Sequence, residues 1–149
     1  MEVTIKQASV DDITDLAKLF NSYRVFFSQC SDLSLAHAFI SDRLKNADSV
    51  IFCAYLSDDK CVGFAQLYPS FSSVSAKQIW ILNDLFINEA HRGMGIGKKL
   101  LNEIKLFGKK SNAKGVLIET TVSNTAAQSL YEANSFQRVP ERIFYEWNN

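Results

Sequence analysis

The stretch that most limits what this chain can become is Trp80-Ile81-Leu82-Asn83-Asp84-Leu85-Phe86-Ile87, followed by Arg92-Gly93-Met94-Gly95-Ile96-Gly97-Lys98. An apolar run rich in β-formers leads into a glycine-rich turn, and the turn leads into helical spacing. A helix that starts there presents unpaired main-chain N–H groups and the positive end of its dipole, a combination suited to a phosphate. Gly93 and Gly95 carry no Cβ and would let a ligand reach the main chain. Lys98 adds a cation inside the first helical turn. The pattern reads as a cradle for the pyrophosphate of a nucleotide-like cofactor.

Two common phosphate-binding loops do not fit. A Walker A loop needs glycine, four residues and then Gly-Lys-Ser/Thr; counted back from Gly97-Lys98, Arg92 takes the glycine position and Lys99 the hydroxyl position. A dinucleotide fold would need Gly-x-Gly-x-x-Gly in a βαβ unit, but Gly97 follows Gly95 one residue too soon and no second βαβ half is visible. The remaining pattern, Arg92-x-x-Gly95-x-Gly97, is similar to the acetyl-CoA signature of the GNAT superfamily of N-acetyltransferases. Downstream, Asn124-x-x-Ala127-x-x-Leu130-Tyr131-Glu132-x-x-Ser135-Phe136 resembles the second motif of that superfamily, with Ser135 where glycine is usual. A residue closing a helix at that point generally needs positive φ, so serine there costs some stability.

The rest of the chain agrees with an α/β domain of that kind. Val3 to Ala8 alternates as a first strand. Ser9, Asp11 and Asp12 can start a helix whose apolar positions are Ile13, Leu16, Ala17, Phe20 and Tyr23. Asp32 and Ser34 open a second helix with Leu35, Ala36, Phe39, Ile40 and Leu44 inward. Ser49 to Leu56 and Cys61 to Tyr68 read as a hairpin around Ser57–Lys60, and Pro69 to Ser75 as a loop. Gln78 to Ile87, apolar on both faces, is a central strand. A third helix runs from about Gly95 to Ser111, a strand follows from Gly115 to Thr121, and a fourth helix opens at Ser123 or Asn124. Phe136 to Val139 and Ile143 to Trp147 are expected to finish the sheet around Pro140.

Composition sets limits on the rest. The 149 residues suffice for one domain, 1–149, with a buried core, and 47% hydrophobic and 21% charged residues are ordinary for a soluble protein. Sixteen basic and sixteen acidic residues cancel, so no global field favours nucleic acid or an anionic membrane. No apolar stretch has the length or flanks of a signal or membrane-spanning segment. Cys30, Cys53 and Cys61 show no Cys-x-x-Cys spacing, and with His37 and His91 they form no zinc pattern; reduced thiols, a cytoplasmic location and no metal are expected.

The resemblance implies a mixed, mainly antiparallel sheet of six to seven strands with about four helices, splayed between its fourth and fifth strands. That splay would lie between Trp80–Ile87 and Gly115–Thr121 and admit the pantetheine arm of acetyl-CoA. It implies that main-chain groups of Leu85, Phe86 and Ile87 hold that arm, that Arg92, Gly93, Met94, Gly95, Ile96, Gly97 and Lys98 hold the pyrophosphate, and that Asn124 and Ala127 lie on the pantetheine side. Tyr131 matches the tyrosine that protonates the departing sulfur, although it also falls on the apolar face of its helix and fits a core position. The general base is unassigned, with Asp84 a candidate through an ordered water. No residue stands out as a covalent nucleophile, so direct attack by the amine in a ternary complex is expected. Relatives of this type often form homodimers.

The acceptor is the least constrained part. Leu82 to Ile87 is similar to a stretch of the diamine and polyamine N-acetyltransferase branch, and Tyr23-Arg24 lies where that branch has Tyr-Glu. Asp84 is either a carboxylate held by its strand or a group that attracts a cationic acceptor, and Tyr23 to Gln29 is either packing or pocket wall. Asn83 and Arg24 replace acids that would hold a polycation, so a small primary amine, amino-acid-like rather than spermidine-like, is expected. The competing readings are an acyl-CoA-binding module without catalysis and an acetyltransferase acting on a protein lysine or N-terminus.

Overall fold

The computed structural model describes residues 2–149. They group into two compact units, the first ending at Glu119 and the second spanning Thr120–Asn149.

In the first unit, strands β1 (Val3–Gln7), β2 (Val50–Leu56), β3 (Cys61–Ser72), β4 (Lys77–Ile87) and β5 (Val116–Ile118) form one sheet in the order β1-β2-β3-β4-β5. The first three pairings are antiparallel and β4 with β5 is parallel. Helices α1 (Ile13–Phe26) and α2 (Leu33–Asn46) separate β1 from β2, and α3 (Ile96–Lys110) joins β4 to β5. Ser9 and Asp12 form a capping box before α1, and Asp32 caps α2 by accepting from Leu35 N, as their sequence positions predict.

The apolar runs of the central strands follow from burial on both faces. One face packs under α1 and α2, where Leu16, Leu19, Phe20, Ala36 and Ile40 meet Ile51, Cys53, Phe64 and Phe86. Phe52, pointing the other way from its strand neighbours, packs edge to face on Phe107 of α3 at 5.5 Å, and Trp80 meets the same ring at 4.9 Å. Leu100, Leu101 and Ile104 of α3 are fully buried, each worth about 1.5–3 kcal/mol relative to exposure.

Two expectations are corrected. Pro69 to Ser72 continues β3 rather than forming a loop, with Pro69 opposite Trp80. The proline is tolerated because β2 pairs with β3 only as far as Leu67, and Trp80 N–H turns away to Gly115 C=O at 3.0 Å; no ladder bond needs the missing N–H. The sheet also has five strands, not six to seven. Residues 136–139 and 143–147 form no ladder among the described residues, and Ile143, Phe144, Tyr145 and Trp147 are exposed. Alternating apolar character signals a strand only where a partner supplies its hydrogen bonds.

The second unit contains α4 (Thr125–Ala133), capped by Asn124, whose Oδ1 accepts from Ala127 N at 3.2 Å. The helix ends in a Schellman-type closure: Phe136 N–H donates to Tyr131 C=O at 3.0 Å and Ser135 N–H to Glu132 C=O at 3.2 Å. Ser135 sits at φ 69°, the left-handed geometry expected of this position. Arg138 pairs with Glu132 at 2.5 Å and with Gln128 at 2.7 Å.

Candidate functional site

β4 is paired on both sides only along its first half. Its parallel register with β5 ends at Leu82 opposite Ile118. At the next residue the strand bulges: Leu67 lies opposite Leu82 and Gln66 opposite Asp84, so Asn83 has no partner on β3. From there to Ile87, β4 continues beside β3 and has no ladder partner on its other edge among the described residues. The hydrogen-bond parity of that segment follows from Asn88 N–H, which donates to Val62 C=O at 2.8 Å. Counting back through the antiparallel alternation, Phe86 and Asp84 turn their main-chain groups to β3, whereas Leu85 and Ile87 turn theirs to the open edge. A strand edge without a partner accepts an extended ligand as an added strand.

The open edge leads directly into the glycine turn. After a 3₁₀ turn at Glu89–His91, Gly93 and Gly95 take φ of 76° and 74°, and a Cβ at either would meet no atom within 4 Å. Both conformations favour glycine, and the space above both is clear. Gly95 caps α3 without a side-chain bond, which leaves the first N–H groups of the helix, at Ile96, Gly97 and Lys98, without an intrahelical partner. Ile96 and Gly97 are buried while Met94 is exposed, so Ile96 anchors the turn and contributes its main chain. Lys99 is tied to Val3 C=O at 3.1 Å; Lys98 is exposed and forms no ion pair among the described residues. These groups, two aligned glycines and a free cation, fit a diphosphate.

Beneath the bulge runs a buried polar chain. Ser49 Oγ donates to Gln66 Oε1 at 2.9 Å, which commits the Gln66 amide nitrogen to Asp84 Oδ2 at 2.6 Å. Asn83 Nδ2 donates to Asp84 Oδ1 at 3.0 Å. Ser49, Gln66 and Asp84 are all buried, whereas Asn83 is exposed, so Oδ2 is fixed inward and Oδ1 lies on the side of the exposed amide. Tyr68 belongs to the same group: burial, and then the nearby Asp84 charge, push its phenol up to about 12. Of these residues, Asn83 and Asp84 were legible in the sequence as site candidates, whereas Ser49, Gln66 and Tyr68 were not. An uncharged amide in the middle of the apolar run Val62–Leu67 was the available signal.

The last turns of α1 lie over the same sheet face. The Tyr23 ring meets Phe64 at 5.7 Å and Phe86 at 5.9 Å, and Phe27 at 5.0 Å. Arg92 reaches back from the glycine turn, donating from Nε to Ile87 C=O at 3.0 Å with its guanidinium 5.1 Å from the Phe26 ring and 5.6 Å from that of Phe86. Its side chain thus braces the end of β4 against α1, and its turn supplies the main chain. Arg24 Nη1 and His91 Nδ1 are buried without a hydrogen-bond partner. A separate cleft of about 280 Å³ opens beside Asp15, Lys18, Lys60 and Cys61; none of the candidate cofactor or acceptor residues lines it.

In the second unit, Tyr131 projects from α4 with its ring 6.2 Å from Phe136. Burial pushes its phenol up to about 12, so the hydroxyl keeps its proton at neutral pH. Asn124 and Ala127 are joined through the helix cap, which occupies Asn124 Oδ1 and leaves its amide nitrogen out of that bond. Among the described residues no group of His, Cys, Asp and Glu is placed to hold a metal, and no helix is long and apolar enough to cross a membrane.

Comparison with known proteins gives concordant results. Residues 14–136 match the profile of the acetyltransferase (GNAT) family. The chain is 44% identical over 143 residues to the uncharacterized N-acetyltransferase YhfO of Bacillus subtilis (strain 168), covering 96% of this chain and 95% of that one. It is 21% identical to an aminoglycoside N(6')-acetyltransferase type 1 of Salmonella typhimurium, over 74% of this chain and 78% of the other. A crystal structure of a probable acetyltransferase superposes with a TM-score of 0.93 at 35% identity, covering 98% and 97% of the two chains.

Proposed function

This chain belongs to the acetyltransferase (GNAT) family, and from that premise we propose that it moves an acetyl group from acetyl-CoA to the primary amine of a small molecule, by direct attack in a ternary complex. The observation that carries the proposal is the continuity of two binding features: the open β4 edge at Leu85 and Ile87 runs straight into an uncapped helix start behind Gly93 and Gly95. The similarity to an aminoglycoside N(6')-acetyltransferase supports a small-molecule amine.

Acetyl-CoA supplies the activated acyl group. In this reading the main chain of Leu85 and the N–H of Ile87, whose carbonyl is held by Arg92, bind its pantetheine arm, and a free N–H of that edge polarises the acyl carbonyl. Phe86 contributes its ring to the pocket floor, since its main chain is engaged with β3. The N–H groups of the turn from Arg92 to Lys98, with the Lys98 amine, bind the pyrophosphate, and Asn124 and Ala127 bind the pantetheine side. Tyr131 holds its proton at Oη and donates it at the departing sulfur. Asp84 Oδ1 takes the proton of the incoming ammonium through a water, while Gln66 and Ser49 keep Oδ2 fixed.

Free-thiol release from acetyl-CoA in the presence of a panel of amines tests this. Thiol release with at least one small amine is expected, and Tyr131→Phe should lower kcat by about 100-fold with little change in KM for acetyl-CoA. Tight acetyl-CoA binding without thiol release for any amine would replace this reading with that of a binding module.

A further inference from the structure

Of the arginines on or beside α1 and α2, two have their guanidinium groups engaged. Arg43 pairs with Asp48 at 2.6 Å and lies 4.7 Å over the Phe39 ring. Arg92 is bonded to Ile87 C=O and lies over Phe26 and Phe86. Arg24 differs: its Nη1 is buried and has no partner among the described residues. A buried donor on a permanent cation is costly when unmet, and no carboxylate among the described residues meets it.

Its surroundings indicate what would. Arg24 follows Tyr23, whose ring rests on Phe64 and Phe86. One residue along a helix is a rotation of about 100°, which sets Arg24 on the flank of α1 away from Phe26 and Arg92. On that flank Asn21 bonds Ser31 Oγ and Asp32 N–H, both at 2.9 Å, at the entrance to α2. The helix covers the sheet face that carries Phe86 and, two residues before it, Asp84. Asp84 already accepts from two amides, Gln66 and Asn83, so much of its capacity to hold a second ammonium is spent internally. The wall of this region therefore offers an unspent cation beside aromatic rings and a carboxylate already engaged.

We infer that Arg24 is a specificity-determining residue and that the acceptor is a primary amine carrying a carboxylate, which takes the unmet Nη1 donor of the guanidinium as a charge-assisted pair. This deepens the acetyl-transfer reading and rests on it for the location of the acceptor. It also separates this protein from an acceptor class of polycations, for which an unpaired arginine in the wall is repulsive.

The test compares amines of equal chain length, 4-aminobutyrate, butylamine and 1,4-diaminobutane, with the wild-type chain and with Arg24→Gln and Arg24→Glu. Two readouts are taken: kcat/KM from thiol release, and calorimetric binding of the N-acetylated products to the CoA complex, with CoA affinity as the folding control. The carboxylate compound should be favoured by at least about 10-fold in wild type, used no better than butylamine by Arg24→Gln, and disfavoured by Arg24→Glu. Equal or better use of butylamine or the diamine by wild type, or a carboxylate preference that survives Arg24→Gln, overturns the inference. If the N-acetylated carboxylate binds in an Arg24-dependent way but no thiol is released, the subsite stands and the transfer reading fails.

Discussion

Replacing Gln66 by leucine probes the polar chain under the β4 bulge. Gln66 is fully buried and holds two bonds, from Ser49 Oγ at 2.9 Å and to Asp84 Oδ2 at 2.6 Å. Losing a hydrogen bond to a buried carboxylate costs about 1.5–3 kcal/mol, and leaving the Ser49 hydroxyl unmet costs about 1 kcal/mol more. A leucine of similar size returns roughly 1 kcal/mol of apolar transfer. The net expectation is a loss of about 2 kcal/mol, which for a chain of this size lowers the unfolding midpoint by roughly 4–8 °C. Denaturant titration gives the free energy, and a double-mutant cycle with Asp84→Leu isolates the pair: in that background Gln66→Leu should cost less than about 1 kcal/mol, a coupling of about 2 kcal/mol. A single-mutant cost below about 1 kcal/mol, or strict additivity, would refute the view that Gln66 holds Asp84.

The glycine turn separates fold from binding. Gly95→Ala should cost only about 1 kcal/mol of stability, from strain at φ 74° with open space around the Cβ, yet lower acetyl-CoA affinity at least about 10-fold by calorimetry; unchanged affinity would argue against phosphate binding there. Ser135→Gly should raise stability by about 1 kcal/mol in denaturant titration, because serine at φ 69° carries a cost that glycine does not. Tyr68 and Tyr131 are both pushed up to about 12 by burial from an ordinary value of 10.0. Each therefore stabilises the fold fully below pH 10 and progressively less as pH rises toward 12. The unfolding midpoint should fall across that window, and less steeply in Tyr68→Phe; a midpoint flat through it contradicts the assignment.

How much of this was legible in the sequence depended on whether the signal was local. Helix starts at Ser9, Asp32 and Asn124 were readable because caps act within a few residues, and the turn from Arg92 to Lys98 because φ-positive glycines are written as glycines. The bulge at Asn83 was not readable: it is a relation between β4 and β3, and the β4 sequence carries no glycine or proline to mark it. Gln66 went unnoticed for the same reason, since its function comes from Ser49 and Asp84, distant in the chain. Pro69 misled by suggesting a loop where only the pairing partners determine whether a missing N–H matters. The C-terminal stretch from Ile143 misled through its composition, which favours a strand but supplies no partner. Arg24 was flagged by its place in the resemblance, opposite a glutamate of the diamine and polyamine branch; its unmet donor became visible only in the structure.

The central claim is that acetyl-CoA extends the sheet along the open edge of β4 and ends on the glycine turn. Residue-resolved amide hydrogen exchange with and without acetyl-CoA tests it most directly. Protection should rise at Leu85 and Ile87 and across Gly93–Lys98, while Phe86, already bonded to β3, should change little. Protection that leaves Leu85, Ile87 and the turn unchanged, with acetyl-CoA bound, would contradict the account.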